Sequence, residues 1–84
     1  MRIADSAQSF RNRLLQAADL HPECPTNGVQ RIQWIWEQGQ RGSAAFDHAD
    51  IASWLCGEAR PADPDSQRLA HIFEVDTGWL RDGE

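Results

Sequence analysis

Three histidines and two cysteines are the residues best equipped for chemistry in this 84-residue chain: His21, His48, His71, Cys24 and Cys56. His21 and Cys24, in "HPEC", could form half of a metal site, with His48, Cys56 and His71 as the rest. Structural zinc sites usually combine two tight pairs of ligands, and here there is only one. The pattern therefore reads as free thiols and ordinary histidines, with no metal and no cofactor. His48 and Asp50 stand two apart, so on a helix they do not face each other. Neither a nucleophile with its base, a phosphate-binding glycine loop nor a carboxylate pair is legible, and the sequence reads as a non-enzyme. What remains is recognition.

Recognition of nucleic acid usually shows as a basic footprint. This chain has eight basic residues, all of them Arg, against thirteen acidic ones, for a net charge of −5. The imbalance is concentrated at the C-terminal end. There Arg68 and Arg81 face Asp63, Asp65, Glu74, Asp76, Asp82 and Glu84. No apolar run approaches the roughly 20 residues of a membrane span. The opening "MRIADSAQSF" lacks the apolar core of a signal peptide. A cytoplasmic protein with no membrane partner and reduced cysteines is expected.

The elements that must position these residues are helical. Asp5 or Ser6 can cap a first helix, whose Phe10, Leu14, Ala17 and Ala18 recur at helical spacing. Pro22 and Pro25 end it. The second helix is predicted in "GVQRIQWIWEQ", with Val29, Ile32, Ile35 and Trp36 inward and Trp34 partly elsewhere. Gly39 and Gly42 are expected to break it. For the third, Asp47 is the N-cap, Phe46 and Ile51 occupy the positions of a hydrophobic staple, and Asp50 sits where a capping-box acid would. Ile51, Trp54 and Leu55 face inward, and Gly57 is the stop. Asp63 caps a fourth helix with Pro64 at its first position and Leu69, Ile72 and Phe73 on its core face. A fifth turn follows, capped by Asp76 and anchored by Trp79 and Leu80. The expectation is an all-α fold: one compact five-helix domain over residues 1–84, with flexible ends at 1–5 and 81–84.

The stretches "DIASWLCGEARP" and "RLAHIFEVDTGWLRDGE" resemble the lambda-repressor-like (Xre, Cro and CI-type) helix-turn-helix domains of phage and bacterial regulators. The matching elements are Trp54 to Gly57, Arg60-Pro61, Leu69-Ala70 and Val75 to Leu80, and "FRNRLLQA" is similar to the family's first helix. The turn between helices 2 and 3, in "QGQRGSAAF", is longer than the usual three or four residues. The resemblance implies a DNA-binding, repressor-type transcription regulator.

In such domains the recognition helix turns its N-terminal and outward residues to base edges. Here those are Asp47, His48, Ala49, Ala52, Ser53 and Cys56, of which His48, Ala49, Ala52 and Ser53 are the expected base-facing set. Ala can touch a thymine methyl, Ser several base edges, His a guanine or a phosphate. Phosphate contacts are expected from Arg31 and Gln33 on the second helix, Arg41 and Ser43 in the turn, and Arg60 beyond the third. The expected partner is double-stranded DNA, bound by a homodimer, since paired half-sites supply affinity. The acidic balance and the small, nearly uncharged helix face support an alternative. In it the domain is an antirepressor or antiactivator that binds another regulatory protein and no DNA, with Trp34, if exposed, as the interface anchor.

Overall fold

A computed structural model describes residues 7–42 and 46–83. The helices are α1 (Ala7–Leu20), α2 (Gly28–Arg41), α3 (His48–Cys56), α4 (Asp63–Phe73) and α5 (Thr77–Asp82), and no strand occurs among the described residues. Helix α1 packs on α3 and α5, α2 on α3 and α4, and α4 on α5. The radius of gyration is 11.8 Å, the value of about 12 Å expected when a chain of this length folds as one compact body.

The core follows the helical periodicity of α1, α3 and α4, except that Leu55 and Ile72, expected inward, are only half-buried against it. Phe10, Leu14, Ala17 and Ala18 of α1, Ile51 and Trp54 of α3, and Leu69 and Phe73 of α4 are buried, joined by Leu80 of α5. Phe46 is buried with Ile51, and its ring meets Trp54 edge-on at 5.3 Å between centroids. The expected caps of α1, Asp5 and Ser6, lie outside the described residues.

Helix α2 departs from expectation. Its buried line is Arg31, Ile35 and Gly39, one helical stripe at i, i+4, i+8, while Val29 is 78% exposed and Ile32 and Trp36 are half-buried. The rotation has a polar cause. Arg31 inserts its guanidinium between the end of α1 and the loop that follows, donating through Nε to the Pro25 carbonyl (2.8 Å) and through Nη2 to Asp19 (2.8 Å). Gly39 does not break the helix. It lies inside α2, and it is a glycine because a Cβ there would sit 2.7 Å from the Phe46 ring. The helix ends instead at Gly42, whose N–H reaches the Gln38 and Gly39 carbonyls. Asn27, which the sequence reading passed over, is the N-cap, its Oδ1 accepting from the Val29 and Gln30 amides.

The other ends follow known cap chemistry with two corrections. Asp47 is the N-cap of α3 by backbone geometry, but its side chain makes no capping hydrogen bond. Helix α3 closes at Gly57, at φ +79°, with Glu58 N–H donating to the Ser53 carbonyl in a Schellman arrangement. Helix α4 begins one residue earlier than predicted. Ala62 is its N-cap, and Asp63 and Pro64 are inside the first turn, where acidic charge favours the helix dipole. Asp76 caps α5 through a bond from the Trp79 amide (2.9 Å). Arg81 and Asp82, assigned from sequence to a flexible end, form the last residues of α5.

Candidate nucleic-acid interface

Helices α2 and α3 are separated by residues 42–47, so the lengthened turn stands between two packed helices. Ser43 lies outside the described residues. His48 is the first residue of α3, exposed, and held from two sides by α2. Its ring stacks on Trp36, with centroids 4.7 Å apart and planes 21° from parallel. Its Nε2 lies 3.1 Å from Gln33 Oε1. Gln33 in turn donates through Nε2 to Glu37, one turn further along α2 (3.1 Å). Two residues assigned separately from sequence, His48 to bases and Gln33 to phosphate, are thus joined in one cluster. Trp36, read as core, forms its platform.

The remaining base-facing candidates spread over two sides of α3. Ala49 is exposed, and Ala52 and Ser53 are half-buried. Ala52 borders an apolar groove of about 370 Å³ with Leu15, Val29, Ile32, Leu55 and Cys56. Ser53 borders a different hollow, with Asp50, Arg60, Pro61 and Asp65.

The cations are placed otherwise than predicted. Arg31 is 5% exposed and occupied by Asp19 and the Pro25 carbonyl, which removes it from the phosphate-facing set. Arg60 is half-buried, donates to the Arg81 carbonyl and lies over the Phe10 ring. Two further arginines do the same kind of work. Arg11 donates to the Leu55 carbonyl near the end of α3 (3.0 Å), and Arg13 to the Leu80 and Arg81 carbonyls of α5 (both 2.9 Å). Carbonyls in the last turn of a helix have no partner within it and carry the negative end of its dipole, so a guanidinium satisfies both needs. Of the predicted phosphate contacts, Gln33 and Arg41 remain exposed. Asp47, Asp50 and Glu37 are exposed nearby.

Trp34 is half-buried. Its ring packs 4.9 Å from His21 and 5.7 Å from Phe73, between centroids, so much of it serves the fold instead of standing free as an interface anchor. Of the two thiols, Cys24 is buried and Cys56 exposed. Burial pushes the Cys24 thiol above its ordinary value of 9.0, opposed in part by Arg31.

No family model, curated protein or solved structure matches this chain.

Proposed function

We propose that this domain is a DNA-binding transcription regulator of the helix-turn-helix type, acting as a homodimer, with the N-terminal turn of α3 entering the major groove. The observation that carries the reading is the anchored first residue of α3. His48 is exposed, yet Trp36 and Gln33 of the neighbouring helix hold it in one orientation. An exposed side chain immobilised in this way is what base readout requires, because little entropy is lost on contact. Arg41 and the backbone amides at the start of α3, which the Asp47 side chain does not cap, are the groups available for phosphate.

The experiment is fluorescence anisotropy of the domain with mixed-sequence duplex DNA between 50 and 200 mM salt. With Arg31 buried and Arg60 turned to a carbonyl, about one to three phosphates are neutralised per domain. Over that range affinity should then fall about 3- to 40-fold for one domain and about 10- to 2,000-fold for the homodimer, in which the number of phosphates doubles. No binding at 50 mM salt overturns the reading.

A second reading is favoured by the inward-turned arginines and by the apolar groove bordered by Ala52 and Leu55. In it the acidic domain binds another regulatory protein, as an antirepressor or antiactivator. Failure of DNA binding together with a stable complex with a co-expressed regulator from the same source would support it.

A further inference from the structure

We propose that His48 selects its base by accepting a hydrogen bond, and so favours, at the position it faces, a base with an amino group in the major groove, cytosine through N4 or adenine through N6, over guanine or thymine. The proposal deepens the DNA-binding reading and rests on it.

The argument is a chain of donors and acceptors. A Glu side chain with its proton lost can only accept, and the oxygen of Glu37 lies 3.1 Å from Gln33 Nε2. That contact turns the amide nitrogen of Gln33 along α2 and leaves Oε1 toward α3. An amide oxygen also only accepts. His48 Nε2, 3.1 Å from it, must therefore carry the hydrogen. In a neutral imidazole, one nitrogen with hydrogen leaves the other as an acceptor, so Nδ1 offers a lone pair. No partner for Nδ1 occurs among the described residues, and the residue is exposed. The Trp36 stack fixes the plane of the ring, and the Gln33 contact fixes which edge Nε2 occupies.

In the major groove, guanine shows only acceptors, N7 and O6, while cytosine shows N4 and adenine N6 as donors. A lone pair fixed on Nδ1 is therefore complementary to cytosine or adenine and repelled by guanine. Gln33 is then a positioning residue that acts through His48, and a phosphate contact is not needed to explain it.

Two measurements test this. Long-range proton–nitrogen NMR of the intact domain at pH 8 should show His48 with hydrogen on Nε2 and a bare Nδ1, and Gln33→Leu should give a mixture of tautomers. Selection from randomised duplexes should show one position at which cytosine or adenine is preferred over guanine about five- to tenfold. His48→Lys, a donor only, should reverse that preference toward guanine, with helix content by circular dichroism unchanged. Hydrogen on Nδ1 in the wild type overturns the inference. So does a base preference that His48→Lys leaves as it was, while DNA binding itself stands. Absence of binding to any duplex overturns the DNA-binding reading and this inference with it.

Discussion

Arg31 offers the sharpest separation between a residue that holds the fold and one that touches a partner. Its side chain is 7% exposed, whereas that of its ion-pair partner Asp19 is 64% exposed. In Arg31→Met the apolar stem is largely kept, the cost of burying a charge disappears, and Asp19 regains water freely. What is lost is the pair of charge-assisted bonds, each worth about 1.5–3 kcal/mol, and the Pro25 carbonyl is left with only the weak Cys24 thiol donor at 3.6 Å. Because removing the buried charge offsets part of that loss, we expect a net destabilisation of about 1–2 kcal/mol. In a domain of this size that lowers Tm by roughly 5–15 °C. Arg31→Lys keeps the charge but cannot span both acceptors with a planar fork, and should be no more stable than Arg31→Met. Urea titration and thermal melting of the three proteins measure this directly. In anisotropy titrations neither variant should alter the salt slope of DNA binding. Wild-type stability in Arg31→Lys, or a slope reduced by about one phosphate in Arg31→Met, would refute the structural role.

Gly39→Ala gains roughly 1 kcal/mol of helix propensity but places a Cβ 2.7 Å from Phe46, itself 3% exposed. Overpacking costs about 1–3 kcal/mol, so denaturant melting should show a net loss, and stabilisation would mean that the ring can move aside. Cys56 should react with an aromatic disulfide reagent at once and Cys24 only at the rate of opening, as followed by absorbance. Because burial raises the Cys24 thiol from 9.0, its contribution to stability is intact below pH 9 and is lost as pH rises beyond it, since the unfolded thiol ionises first. Urea midpoints should accordingly fall less steeply between pH 9 and 10 in Cys24→Ala than in the wild type.

The fold was legible where one face of a helix is apolar and its ends carry cap residues. Phe10, Leu14, Ile51, Trp54, Leu69 and Phe73 announce their burial by spacing alone. Helix α2 misled because Val29 and Ile32 form a plausible apolar stripe, and nothing local says that an arginine will displace them. The reason lies in the Pro25 carbonyl and Asp19, outside the helix. Gly39 was read as a breaker for the same reason, since the ring that requires it belongs to Phe46, across the turn. The candidate site was half legible. His48 and Gln33 were both named, but their bond spans fifteen positions, and periodicity within one helix says nothing of it. Arginine-to-carbonyl contacts over 44, 67 and 21 positions leave no local pattern at all. An Arg in sequence looks the same whether it meets a phosphate or a helix end.

Those inward-turned guanidiniums have a kinetic consequence. Arg11, Arg13, Arg31 and Arg60 are bound to backbone carbonyls, while Asp47, Asp50 and Glu37 stand at the surface beside α3. A polyanion approaching this side meets like charge at long range, so encounter should be no faster than the unsteered rate of about 10⁵–10⁶ M⁻¹s⁻¹. Adding salt would then screen that repulsion and leave arrival unslowed. Occupancy of any site would be decided by residence time, by how slowly the anchored first turn of α3 lets go.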